Sequence, residues 1–565
     1  MKILLTLLIT LLSSLSFGQK KYPTKDFRNP LDIPSVLAGT FGELRSNHFH
    51  AGIDIKTQQK EGLNVYAVAD GYVSRIKIAL WGYGKVIYIN HPNGYTSVYA
   101  HLSKFENGIE TYVKKIQYKK ESYETGNIFP KKGEILVKKG QIIAFTGSTG
   151  GFVAPHLHYE IRDTKTEKII NPFLFGINVK DTIAPRIKGL LVYPLSDSSR
   201  VNQNINKSLL AFKKVKEYLY TTNRISAKGP IGFGINVYDQ LNGAYNKNGV
   251  YSIEMKVNGH KVYHHTLETF SFKESKYINL LIDYPNYSKY KKRFQKTHKV
   301  KRNELNIYKN LLNNGVINIK PGFNYNVEII VSDFVGNKST IKIPVKGVQN
   351  NAVFRQAKDT TAYKVTTGSF HKWSKKGITI AFPKNTFYND IFLDFDVKDG
   401  IVKIHKPTIP LNKSYTLTFD VSKYTEKEKN QLYIAMINTK KYSSYQNTRK
   451  KTDKFYTTTK TLGKYTLLTD DTKPGLYLKN FKSGEWITKH SKIIAKISDK
   501  GTGIKSYRAT LDGEWILMEY DLKKRQIVYQ FKDKKLIGVK HQLKIEVEDN
   551  VGNTNTLNAT FYKKQ

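Results

Sequence analysis

The sequence predicts a mainly β protein: an N-terminal antiparallel β domain followed by immunoglobulin-like β-sandwich modules. Three observations carry this expectation. The apolar set is dominated by aromatic and β-branched residues, with 38 Tyr and 28 Phe against only 4 Met, a mix that suits half-buried pleated surfaces. Short β-prone runs are separated by Gly, Pro and Asn turn signals at close spacing. A set of anchors also recurs in order. Asp181-Thr182-Ile183-Ala184-Pro185 resembles Asp471-Thr472-Lys473-Pro474, Val237-Tyr238-Asp239 resembles Ile497-Ser498-Asp499, and Asp333-Phe334-Val335-Gly336-Asn337 resembles Asp549-Asn550-Val551-Gly552-Asn553. Strands closed by such turns read as immunoglobulin-like sandwiches.

At 565 residues the chain is long enough for roughly four domains. Residues 1–18 read as a signal peptide: Lys2, an apolar run from Ile3 to Leu12, then Ser16-Phe17-Gly18 with the small-x-small form of a cleavage site. The run is too short to span a bilayer, and no later segment is apolar enough to do so. Residues 19–180 form the first folded domain. Within it, Val65–Ala69 and Tyr72–Ile76 flank Asp70-Gly71, a hairpin signal, and His91 before Pro92 reads as an exposed turn residue. Residues 104–132 are a polar, Lys-rich insertion expected to border any groove beside His101. Residues 181–345 are an immunoglobulin-like module with a basic insertion, Lys289–Arg302, holding eight Lys/Arg and no acid and expected to be a solvated face. Residues 346–470 are a β-rich module without an assignable motif, and 471–565 are the second immunoglobulin-like copy.

Composition narrows the chemistry. The chain has no Cys, which excludes disulfides, thiolate metal sites and a Cys nucleophile. Any metal must be held by His, Asp or Glu. The formal net charge is +46, a field that attracts polyanions. For an exported chain the expected partners are anionic envelope polymers, and nucleic acid is not expected.

Six of the 14 His lie in the first 160 residues, four of them inside three motifs: His50-Ala51-Gly52-Ile53-Asp54, Tyr99-Ala100-His101-Leu102 and Pro155-His156-Leu157-His158-Tyr159-Glu160. His-x-His in a strand puts both imidazoles on one face. A catalytic zinc takes three protein ligands and leaves a fourth position to water. His50, Asp54 and one of His156 and His158 meet that count, and the remaining imidazoles, His101 among them, are placed to handle protons or a developing oxyanion. His48 is an alternative to His50, though the spacing to Gly52 and Asp54 favours His50. Glu160 alternates onto the same face as His158 and suits either a supporting contact to that ring or an ion pair. The one carboxylate in each Asp-x-Val-Gly-Asn motif is too few for a calcium site, so both motifs read as turns.

These three motifs in this order, with Ala69-Asp70-Gly71-Tyr72-Val73, Tyr83-Gly84-Lys85-Val86-Ile87 and Gly147-Ser148-Thr149-Gly150 between them, resemble the M23 family of zinc peptidases of the lysostaphin/LytM type. The resemblance covers residues 35–175. It implies an antiparallel β fold with an open groove, one Zn2+ held by His50, Asp54 and His158, and His101 and His156 as catalytic histidines. It further implies a zinc metallo-endopeptidase acting on peptidoglycan, in the periplasm, the cell envelope or the medium. Some members carry a Tyr about six residues before the first ligand; here Leu44-Arg45 stands there, and Arg45 is the substitute to consider. Two other readings stay open: a non-catalytic LytM-type regulator of wall amidases, and a peptidase of Gly-rich protein.

Overall fold

A computed structural model of the chain describes residues 22–151, 154–349, 360–438 and 443–564. The expected signal segment lies outside them. The molecule is mainly β, as expected, and among the described residues no helix is long and apolar enough to cross a membrane.

The N-terminal domain is built from β1 (Leu37–Gly39), β2 (Ile53–Lys56), β3 (Asn64–Tyr66), β4 (Gly71–Ile78), β5 (Lys85–Asn90), β6 (Tyr95–Leu102), β7 (Lys104–Phe105), α1 (Asn107–Lys120), β8 (Gly126–Ile128), β9 (Leu136–Val137), β10 (Ile142–Phe145), β11 (His156–Asp163) and β12 (Ile169–Ile170). The main sheet runs β1-β2-β11-β6-β5-β4-β8, and a second, three-stranded sheet runs β3-β10-β7. β11 is the central strand, and its alternation is the key to the domain. Leu157, Tyr159 and Ile161 are fully buried in the core. His156, His158, Glu160 and Arg162 project from the opposite face and are also buried.

Two local expectations are corrected. Asp70-Gly71 is not a hairpin turn, because β3 pairs with β10 while β4 pairs with β5, β8 and β9. The chain crosses there between sheets, and a Cβ on Gly71 would sit 2.4 Å from the Asn90 carbonyl oxygen. His91 is buried rather than exposed: its Nδ1 hydrogen-bonds the Asp70 carbonyl at 2.8 Å and its Nε2 the Ser97 hydroxyl at 2.7 Å, so it stitches that crossing to β6. In β4 the buried positions step from Val73 to Ile76, and a register irregularity between Val73 and Arg75 accounts for the slip.

The modules that follow are β sandwiches. Residues 186–347 carry a 13-stranded arrangement around a core that includes Phe233, Met255 and Tyr263. Two five-stranded sheets enclose the core of residues 365–467, and two four-stranded sheets enclose that of 476–561. The first module is continuous with the peptidase-like core, since β12 pairs with Thr269–Phe270 and the core runs on through Ile278, Leu281 and Ile307. The basic stretch Lys289–Arg302 is only partly a solvated face. Gln295, Thr297 and His298 are buried, and burial pushes the Lys296 ammonium down to about 8.

The 104–132 insertion is an ordered docking surface. Helix α1 is capped by the Glu106 carboxylate at its start and by a left-handed Glu121 at its end. It meets the C-terminal module through Tyr118 edge-on to Trp515 at 5.2 Å, Lys114 on Asp533 at 2.5 Å and Glu121 on Arg508 at 2.5 Å. Beside it, the buried Lys85 ammonium meets Glu519 at 2.9 Å and the Ser103 carbonyl at 3.1 Å. Glu519→Ala strips the carboxylate from a buried cation and is expected to cost about 2 kcal/mol in urea unfolding. A Lys85→Met, Glu519→Leu double variant should recover most of that loss, and an equal loss in the double variant would refute the pairing.

Candidate functional site

β2, β11 and β6 lie side by side, and their register assembles the site. Asp54 stands directly opposite His158 across β2–β11, and Ala100 stands opposite His158 across β11–β6. His50 precedes β2 and folds back over it. This close approach explains Gly52 in the first motif: a Cβ there would lie 2.2 Å from the Tyr159 carbonyl oxygen.

Three donor atoms converge. His50 Nε2 lies 3.0 Å from Asp54 Oδ1 and 3.1 Å from His158 Nδ1, and His158 Nδ1 lies 2.8 Å from the same Asp54 oxygen. All three residues are buried. The outer nitrogen of each ring is already engaged. His50 Nδ1 donates to the Thr40 carbonyl at 2.8 Å, and His158 Nε2 donates to Glu160 Oε1 at 2.9 Å. In those tautomers His50 Nε2 and His158 Nδ1 both turn lone pairs toward Asp54. A cation that displaces the proton drawn onto His158 would meet two lone pairs and a carboxylate oxygen sharing one point. Tetrahedral zinc with bonds of about 2.0–2.1 Å would hold its donors about 3.3 Å apart, close to the triangle seen. An oxygen partner on each outer ring nitrogen is the usual way a ligating imidazole is oriented.

The electrostatics point the same way. Burial opposes ionisation of Asp54, but His50 and His158 outweigh it and hold its carboxyl well below the usual range. Burial also works against Glu160, yet Arg162, then His158 and Tyr83, bring it down to about 2. Burial lowers His158, and the Asp54 and Glu160 carboxylates more than reverse that, pushing it up to about 9.

His101 and His156 flank this triangle, with ring centroids 4.8 Å apart. His101 has φ 62°, a conformation rare for a side chain this size. The register irregularity between Lys85 and Ile87 opposite β6 marks the bulge that turns it. Its Nδ1 hydrogen-bonds the Thr149 carbonyl at 3.0 Å, and its backbone N–H donates to the Tyr83 carbonyl at 3.0 Å. His156 Nδ1 bonds the Ala154 carbonyl at 2.9 Å, and its Nε2 lies 3.8 Å from Asp54 Oδ1. Burial, reinforced by His158 and His156, holds His101 well below the usual imidazole range, and burial also lowers His156. Each ring is oriented through Nδ1 by a backbone carbonyl.

The structure therefore brings together all five positions expected from the sequence. His48 stays outside: it is exposed, with Nδ1 on the Ser46 carbonyl at 2.7 Å. Glu160 takes both roles considered for it, since it holds His158 and pairs with Arg162 at 2.7 Å. Tyr83 donates its hydroxyl to Glu160 as well, and Trp81 lies exposed over Gly151 at the rim. Sequence reasoning did not find the work of Glu43, Arg45 and Thr149. Arg45 bridges Asp54 Oδ2 at 3.3 Å and Glu43 at 3.1 Å, so it braces the carboxylate rather than reaching the outer imidazoles.

Residues 48–127 match Peptidase family M23. The chain carries an M23 peptidase domain. Residues 362–470, where the sequence offered no motif, match the Zu5-like domain. The DD-carboxypeptidase/endopeptidase Mpg of Neisseria meningitidis serogroup B is 37% identical over 119 residues, which is 21% of this chain and 21% of that protein. A metalloprotease of Haemophilus influenzae is 35% identical over 111 residues, 20% of this chain and 18% of that one. The match thus spans about a fifth of the length of these curated relatives. Among solved structures, the catalytic domain of lysostaphin from Staphylococcus simulans is 24% identical, covering 25% of this chain and 91% of its own, with a TM-score of 0.19.

In the candidate metal triangle Glu160 Oε1 holds the His158 ring through Nε2. Glu160→Gln keeps the shape but removes the charge, and is expected to weaken zinc affinity about 10–100-fold in competition with a chelator. Unchanged affinity would show that the carboxylate does not orient the ring.

Proposed function

We propose that the M23 domain is a zinc metallo-endopeptidase that hydrolyses peptide bonds in peptidoglycan stems or cross-links, and that the protein is exported to the periplasm or cell envelope. The observation that carries this reading is the meeting of His50 Nε2, His158 Nδ1 and Asp54 Oδ1 beside two further imidazoles whose Nδ1 atoms are tied to carbonyls. His50, Asp54 and His158 would hold the zinc. When bound, it supplies a Lewis acid for the scissile carbonyl and a nucleophile drawn from water at neutral pH.

The chain's own residues do the rest. His101, held neutral by burial, accepts a proton at Nε2 as the peptide is attacked. The two flanking rings are close enough that protonating one disfavours protonating the other, so the pair carries a single proton between them. The proton accepted at His101 Nε2 is the one returned to the leaving amine, while His156 stands beside it with its ring oriented by the Ala154 carbonyl. Thr149 keeps His101 aimed, because its carbonyl receives the His101 Nδ1–H while its hydroxyl donates to the Leu102 carbonyl at 2.9 Å. The exposed rim at Trp81 and the Gly150-Gly151 turn border an open approach for an extended peptide.

Peptidoglycan as substrate is supported by the DD-carboxypeptidase/endopeptidase relative. Export is supported by the apolar run after Lys2. The net charge of +46 suits an anionic envelope polymer as a further surface partner.

The test is digestion of purified sacculi by the zinc-loaded mature chain, with products identified by mass spectrometry. Muropeptides freed by peptide-bond cleavage are expected. His158→Ala should lose both zinc and activity. His101→Ala should keep zinc while kcat falls about 10²–10⁴-fold. Robust cleavage by His158→Ala would sink the assignment. A zinc content near zero in the wild-type protein would favour an amidase regulator, and cleavage of a Gly-rich protein without cleavage of sacculi would move the substrate to protein.

A further inference from the structure

The two repeat copies each gather their three anchor motifs at one end of the sandwich. Asp181, Asp239 and Asp333 each bring a carboxylate oxygen within 4.8 Å of the others, and so do Asp470, Asp499 and Asp549. The second set corrects the sequence alignment by one position: Asp470, not Asp471, corresponds to Asp181, each standing four residues before a proline. A reading of one carboxylate per motif missed the clusters because the three motifs lie far apart in the chain.

The copies differ in how their carboxylates are satisfied. In the second copy Thr502 fills the centre. Its backbone N–H donates to Asp470 at 2.9 Å and to Asp499 at 2.8 Å, and its hydroxyl donates to Asp470 at 3.0 Å. Backbone amides of residues 551–553 cover Asp549 Oδ1. In the first copy the amides of Gly336 and Asn337 cover Asp333 Oδ1, and Ile183 covers Asp181 Oδ1. Among the described residues no group takes the place of Thr502. Asp239 is 2% exposed, and its Oδ1 atom is shielded from solvent without a hydrogen-bond partner. A cavity of about 50 Å³ opens there, lined by all three aspartates.

Asp239 and Asp333 are buried with Asp181 half-buried beside them, and the three carboxylates repel one another. Burial and the other two carboxylates push Asp239 up to about 8. An unpartnered buried carboxylate oxygen costs several kcal/mol unless a cation or donor meets it.

We infer that Asp181, Asp239 and Asp333 form a calcium site in the first module. An all-oxygen donor set selects a hard cation, and calcium tolerates irregular geometry where magnesium demands a near-ideal octahedron and keeps its waters. The cavity leaves room for water to complete the shell. Thr40 and Phe41 line the same cavity, and the Thr40 carbonyl holds His50. The site therefore fastens the module to the segment that positions the first residue of the zinc triangle.

The test is calorimetric titration of the zinc-loaded full chain with CaCl2, with melting curves beside it. The wild type should bind calcium, gain about 5 °C in Tm at a hundredfold excess over Kd, and bind magnesium at least tenfold more weakly. Asp239→Asn should lose one calcium equivalent and the Tm response of that site while keeping its zinc. His158→Ala should show the reverse pattern. Absence of saturable calcium binding in the wild type, equal magnesium affinity, or unchanged binding by Asp239→Asn would each overturn the assignment. If Asp239→Asn fails to fold by circular dichroism, Asp181→Asn at the half-buried position decides, and wild-type binding by that variant overturns it.

Discussion

The polar face of β11 is the constraint on which the N-terminal domain depends. His156, His158, Glu160 and Arg162 are all buried, and burying a polar group without a partner is costly. The surroundings are therefore obliged to supply partners in a fixed order. Tyr83 and Arg162 serve Glu160, Glu160 and Asp54 serve His158, and Arg45 with Glu43 braces Asp54. Charge alternates along this row, so no member can be turned without exposing its neighbour's charge. A buried network of this kind is worth having only when every member is satisfied. Within this row the electron-rich point is the one shared by His50, His158 and Asp54.

The row also explains why the peptidase domain and the first module share a core. His50 is held through Thr40, and Thr40 is itself in contact with the module, its hydroxyl receiving the Gly249 N–H at 3.1 Å. Phe270 packs against Phe41 and Phe49 at 4.9 and 5.1 Å, and Ser275 receives the Phe49 N–H at 2.8 Å. The segment before β2 thus has a wall of module side chains behind it. A ligand on a short irregular segment needs such backing, because loops lack the ladder hydrogen bonds that fix a strand.

Much of the site was legible in the sequence because its chemistry is local. His-x-Gly-x-Asp places His50 and Asp54 on one turn and strand, and His-x-His alternates onto one face. The bracing was not legible. Arg45 and Glu43 reach Asp54 only once β1 and β2 pair, and the turn of His101 depends on a bulge that no residue type announces. His91 was misread because a His before Pro usually marks a turn, and the crossing between two sheets that buries it is a tertiary event. The fold class followed from composition and turn spacing. The carboxylate clusters failed to register for the opposite reason to the histidines. Each anchor holds one Asp, and only the sandwich closes 152 residues of chain, from Asp181 to Asp333, onto one point.

Donor chemistry sets the two candidate cation sites apart. The M23 triangle offers two imidazole nitrogens and one oxygen, a set suited to zinc, while the module offers oxygen alone, a set suited to calcium. Neither could serve the other well. Calcium gains little from imidazole nitrogen, and zinc is better matched by two imidazoles and a carboxylate than by three carboxylates. Thr40 touches both, its carbonyl on His50 and its side chain at the module. The segment that holds His50 and the module's carboxylate cavity therefore share one residue.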